Sequence, residues 1–206
     1  MNSFLSYILY EQTQIMFVLI YGSECKMTNI ILCGKSTDTS VSCALLPALE
    51  KYGGVQYFNT RQLVRLGSDK VEFFLYDCEK LPQIELESGI ILFKNSFHSS
   101  EKILIPEGFL SILEMKNASA AELLNGTGAA AITCGTSSKD TLSIAGIDET
   151  SAALSLQRSV MTLDGKMVEP RDFTVRFPPK LSPTRILAVC AVLLLSGIDS
   201  ANGYEL

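Results

Sequence analysis

Short, continuously apolar runs separated by helical stretches constrain this chain most. Ile30–Cys33, Val71–Tyr76, Gly89–Lys94 and Ala129–Cys134 are strand-length runs bounded by turn signals. A strand with one wet face alternates apolar and polar residues, whereas one buried on both faces does not. Between these runs, Ser40–Lys51 and Ser119–Leu124 read as helices, the first stopped by Gly53-Gly54. Val55–Phe58 adds a strand, and Thr60–Leu66 reads as a short helix with Thr60 as its cap. The pattern predicts an α/β fold, a mostly parallel sheet flanked by helices.

The character changes after Asp140. Thr141–Ile147, Ala152–Gln157 and Phe173–Phe177 are strand-like, and Ser159–Leu163 with Lys166–Val168 reads as a hairpin around Asp164-Gly165. These segments predict a small antiparallel patch appended to the parallel sheet. A last helix starts near Ser182-Pro183, with proline in its first turn, and stops at Gly197. Its apolar stretch Ile186–Leu195 falls well short of the ~20 residues of a membrane span and reads as a buried helix.

Composition excludes several classes of function. The chain has 206 residues, 47 % of them apolar, and a net charge of −5, enough for one domain with a real core and against disorder. The acidic balance, without a Lys/Arg cluster, argues against nucleic-acid binding. His98 is the single histidine, so multi-histidine zinc chemistry is excluded and no metal ligands are assigned. The cysteines, Cys25, Cys33, Cys43, Cys78, Cys134 and Cys190, form no CxxC pair and mostly sit in apolar runs. They read as reduced and structural, which suits a cytoplasmic chain. Asn117-Ala-Ser and Asn125-Gly-Thr match the glycosylation pattern by chance.

Residues 1–26 form a segment apart. Phe4–Tyr10 and Met16–Tyr21 are apolar, with Glu11 between them, and neither run spans a membrane. No basic leader or small-residue cleavage site precedes the first strand. The preferred reading is an upstream extension ahead of a single domain over 27–206. A short amphipathic element packed on the domain, or a membrane attachment, are the alternatives.

Four motifs carry a family resemblance. They are Ile31-Leu32-Cys33-Gly34-Lys35-Ser36-Thr37-Asp38-Thr39-Ser40-Val41, Phe74–Pro82, Gly89–Phe97, and Asp164–Phe177 followed by Arg185–Ile198. In order and spacing they resemble the strand, phosphate loop, acidic stretch, asparagine-bearing strand and late helix of the ATP-binding central domain of the Mur ligases. The amidotransferase-associated branch is the nearest in pattern. The resemblance implies a P-loop-like α/β domain without the family's N-terminal substrate domain and C-terminal domain. It also implies a vestigial nucleotide site at Gly34, Lys35, Ser36, Thr37, Thr39, Ser40 and Asn95.

The departures decide the functional expectation. A phosphate loop needs glycines, so that backbone N–H groups can wrap the phosphates, and a lysine to neutralise them. Aligned on Gly34, Thr37 replaces the second glycine and Asp38 the lysine, while Thr39 and Ser40 keep the hydroxyls. Aligned instead on Gly34-Lys35-Ser36-Thr37, the first glycine position is Asn29, inside the strand. Leu75 stands where the family's magnesium glutamate is expected. Asp77 and Glu79 read as a loop-exposed pair, and His98 as a surface residue. Leu181, Ser182 and Arg185 replace polar residues of the late helix.

The expectation is therefore a non-catalytic, pseudoenzyme-like binding or assembly module, linked to peptidoglycan synthesis. Its partner would be another protein or a second copy, and it needs no cofactor and has no catalytic residue. The alternative is a nucleotide- or anion-binding sensor, or a weak ATP-dependent ligase component, built on the hydroxyls at a helix N-terminus. Cys134 reads as a buried thiol, since no base stands near it in sequence.

Overall fold

The computed structural model describes residues 27–99 and 103–206. The expectations about residues 1–26, Cys25 included, lie outside the described residues. Strand β1 (Thr28–Cys33) shows why its sequence is continuously apolar. Ile30 and Leu32 enter one core and Ile31 and Cys33 a second, on opposite faces of the sheet. Helix α1 (Ser42–Tyr52) packs on the first face through Leu45, Ala48 and Leu49.

After α1 come β2 (Gly54–Asn59), β3 (Leu63–Leu66), β4 (Val71–Cys78), β5 (Gly89–Phe93) and β6 (Phe109–Glu114). Helix α2 (Ala118–Asn125), β7 (Ala131–Gly135), β8 (Leu142–Ile147) and β9 (Ser151–Leu156) follow. The chain then forms β10 (Val160–Met161), β11 (Met167–Val168), β12 (Arg171–Arg176), helix α3 (Pro183–Leu195) and β13 (Tyr204–Glu205). Eleven strands form one sheet in the order β13-β12-β9-β8-β7-β6-β5-β1-β4-β2-β3. The run from β2 through β4, β1, β5, β6 and β7 to β8 is parallel. Strands β8, β9 and β12 pair antiparallel, and β10–β11 is a separate hairpin. The α/β class and the antiparallel extension are as the sequence predicts.

Helix α3 is buried along its whole length from Ile186 to Leu195. A helix apolar all round needs cover on every side. It shares the first core with the sheet and α1, and Leu163 N–H donates to Leu195 O at 2.8 Å from the hairpin side. No helix among the described residues is long and apolar enough to cross a membrane. Helix α2 covers the second face with Ala120 and Leu124. Cys33, Cys78, Cys134 and Cys190 are buried free thiols, while Cys43 is exposed.

Three local expectations are corrected. Thr60–Leu66 is not a helix. The side chain of Asn59 accepts from the N–H groups of Arg61 and Gln62, both at 2.9 Å, and reverses the chain. β3 then returns antiparallel to β2, with Phe58 opposite Leu63. The sequence pattern predicts no strand at β6, because Ser111 interrupts its apolar run, yet Ser111 is fully buried. Helix α1 begins two residues later than expected, because Asp38 holds Ser40 in a turn ahead of it.

Candidate functional site

The chain runs from β1 to β2 on one side and later crosses to β5 on the other side of β1. In open α/β sheets the carboxyl ends of strands at such a reversal form the usual ligand crevice. The ends of β1, β4 and β5 are laced together there. Gly34 N–H donates to Cys78 O at 3.0 Å, and Lys94 N–H to Cys33 O at 2.9 Å.

The Lys94 side chain is fully buried at this point, and its ammonium fills the turn that follows β1. Nζ lies 2.6 Å from Asp77 Oδ1, 2.8 Å from Asp38 O and 3.3 Å from Lys35 O. An ammonium has three donors, and these are three acceptors. A phosphate cradle points amide N–H groups inward; this loop points carbonyl oxygens inward, at a cation. The amides of Gly34, Lys35, Asp38 and Ser40 are used elsewhere. Lys35 N–H reaches Ser96 Oγ at 3.2 Å, Asp38 N–H reaches Lys35 O at 3.0 Å, and Ser40 N–H reaches Asp38 Oδ1 at 3.2 Å. Gly34 permits the close approach: a Cβ there would lie 2.8 Å from Lys94 Cβ and 2.9 Å from Ser96 Oγ.

Asp77 is buried at the end of β4, which corrects the loop-exposed reading; Glu79 is exposed. β-sheet alternation turns Asp77 toward the α1 side, where Tyr57 Oη donates to its Oδ2 at 3.4 Å. Burial pushes the Asp77 carboxyl above its ordinary range, against the opposing pull of the Lys94 ammonium. Asp38 is turned back onto its own loop. Ser40 Oγ donates to Oδ1 at 2.6 Å, and Ser96 Oγ to Oδ2 at 2.7 Å. Burial raises the Asp38 carboxyl, but the bonds from Ser40 and Ser96 and the Lys94 charge outweigh it and leave it below the carboxylate range.

The residues singled out in the loop divide. Gly34 is buried, whereas Lys35, Ser36, Thr37 and Thr39 face outward, with Ser36 Oγ donating to Glu79 Oε2 at 3.2 Å. Ser40 and Asn95 line a cleft with Asp38, Glu114, Cys134 and Thr184. Its volume of about 50 Å³ suits a few waters. Asn95 Nδ2 donates to Glu114 Oε2 at 3.0 Å. Burial, with Glu114 and Asp140 nearby, pushes the Cys134 thiol up, so it is a poor nucleophile. His98 is exposed, with Nδ1 2.8 Å from Ser119 Oγ, and Leu75 is core.

Sequence reasoning missed Lys94 and Glu114. The available signal for Lys94 was a lysine closing a strand that is buried on both faces. A cation there needs a buried partner. Asn117 secures the arrangement from α2: Nδ2 donates to Lys94 O at 2.7 Å while Oδ1 accepts from Ala120 N–H at 3.0 Å. That buried side chain agrees with reading its glycosylation pattern as chance.

The fold aligns with solved Mur ligases. A murein peptide ligase from Psychrobacter arcticus superposes with a TM-score of 0.51 at 13 % identity, over 86 % of this chain and 45 % of that one. The UDP-N-acetylmuramate:L-alanyl-γ-D-glutamyl-meso-diaminopimelate ligase from Neisseria meningitidis gives 0.54 at 12 %, over 84 % and 63 %. A UDP-N-acetylmuramoyl-L-alanyl-D-glutamate–2,6-diaminopimelate ligase gives 0.50 at 11 %, over 83 % and 43 %. The chain thus spans 43–63 % of the length of these ligases, and the likeness is one of fold. No family model matches the sequence, and no curated protein does.

Proposed function

We propose that this domain is a non-catalytic, Mur-ligase-like module that binds or assembles with another protein, or with a second copy of itself, in peptidoglycan synthesis. One observation carries the reading. The Lys94 ammonium occupies the loop that would otherwise wrap phosphate, and the loop carbonyls are turned toward it. Phosphate oxygens entering there would meet carbonyl oxygens and the Asp77 carboxylate, while the three donors of the Lys94 ammonium are already spent on those acceptors. The pathway comes from the fold likeness to ligases of murein peptides. A cytoplasmic place is part of the same proposal.

Calorimetry and thermal shift with millimolar ATP–Mg²⁺, together with sedimentation of the purified chain, test it. The reading expects no saturable heat, no rise in Tm, and a dimer or a stoichiometric complex with a Mur ligase. Saturable nucleotide binding, or a strictly monomeric chain that binds none of these ligases, overturns it.

A further inference from the structure

We propose that the oxygen cage around Lys94 Nζ is a primary-ammonium site filled from within, one that takes a free alkylammonium ion once the lysine side chain is cut back. This goes beyond the module's role and holds whatever the module assembles with. The acceptors come from separate parts of the chain. Asp77 Oδ1 stands at the end of β4, and the carbonyls of Lys35 and Asp38 belong to the loop after β1. The lysine reaches them from the end of β5, so the cage is not built by the lysine's own backbone neighbours.

The chemistry selects the ligand class. Of the three N···O separations, those to Asp77 Oδ1 and Asp38 O, 2.6 and 2.8 Å, are as short as charge-assisted N–H···O bonds, and that to Lys35 O, 3.3 Å, is a longer hydrogen bond. Magnesium requires six oxygens near 2.0–2.1 Å and calcium six to eight near 2.3–2.6 Å, a closer and fuller set than this cage offers. One carboxylate balances one positive charge, and two neutral carbonyls complete the directions an R–NH₃⁺ group needs. The second oxygen of Asp77 is held by Tyr57 Oη, to which Asn59 Nδ2 donates at 2.8 Å. The stem runs past Gly34, where a Cβ would lie 3.2 Å from Lys94 Cδ. Lys94→Ala removes Cγ, Cδ, Cε and Nζ, which is the heavy-atom skeleton of n-propylamine.

The test uses K94A with propylammonium chloride, against tetramethylammonium chloride and sodium chloride at equal ionic strength. Propylammonium at ten times its dissociation constant raises Tm by about 3–6 °C, saturably, and the effect disappears in D77N/K94A. Equal shifts from all three salts, or a larger shift from Mg²⁺ or ATP, overturn the proposal. Should K94A fail to fold, refolding rescued by propylammonium and not by tetramethylammonium supports it, and absence of rescue counts against it. The native protein supplies an independent readout. One lysine NH₃⁺ group, lost in K94M, keeps a slowly exchanging ¹⁵N resonance at neutral pH; without such a resonance the cage is open to water and the proposal fails. Native-chain nucleotide calorimetry is unaffected by either result, so the two readings fail separately.

Discussion

The ammonium of Lys94 stands 2.6 Å from the carboxylate of Asp77, and both side chains are closed to solvent. Burying two charges costs several kcal/mol per ion, and removing one partner leaves the other uncompensated. K94M and D77L are each expected to lose about 3–5 kcal/mol in urea unfolding. The double variant D77L/K94M should lose less than their sum by about 2–3 kcal/mol. A residual deficit remains, because the Lys35 and Asp38 carbonyls lose their donor. Strict additivity would show that the two groups are not energetically coupled.

Asp38 holds the turn before α1 by accepting from Ser40 and Ser96. D38A should lose about 1–3 kcal/mol, since charged hydrogen bonds are worth more than neutral ones. The pH dependence has a definite sign. A carboxyl lowered in the folded state contributes stability that is fully present above its unfolded value, about 3.9. That contribution is lost as pH falls through the lower folded value. Between neutral pH and strong acid, the stability gap between wild type and D38N should therefore narrow. A gap that is constant with pH would argue against the charged role.

Gly34 tests the closeness of the loop to β5. Any side chain there meets Lys94 Cβ and Ser96 Oγ inside van der Waals contact. G34A is expected to cost about 1–3 kcal/mol through displacement of the loop. A neutral G34A would mean that the loop is free to move away from Lys94.

Asn117 performs two tasks with one amide, and the tasks are separable. N117A removes the α2 cap and the bond to Lys94 O, and should cost about 2–3 kcal/mol. N117D keeps the acceptor for Ala120 N–H but sets a buried carboxylate oxygen against the Lys94 carbonyl. In thermal or urea unfolding at neutral pH it should be no more stable than N117A, because a buried acceptor–acceptor contact is costly. An N117D as stable as wild type would show that the bond to Lys94 O contributes little.

Much of the architecture was legible locally. β1, β4, β5 and β7 announce themselves as apolar runs, and the Pro183 start and Gly197 stop of the last helix are chemical punctuation. β6 escaped because the buried Ser111 breaks its pattern, and β3 because Asn59, not Thr60, makes the local turn. The residue types of the loop are legible in the sequence, but the destination of the Asp38 carboxylate on Ser40 and Ser96 is not. Asp77 reads as loop because Glu79, two residues on, is polar and exposed.

By itself, then, the sequence determined the α/β class and the buried last helix, because periodicity and breakers act over a few positions. The tertiary structure decided what fills the loop after β1. Lys94, Asp77 and Asp38 come from three different segments, and only the register of β5, β1 and β4 brings their polar atoms together. A buried lysine is costly until its partners surround it, and those partners are assigned by strand pairing rather than by spacing along the chain.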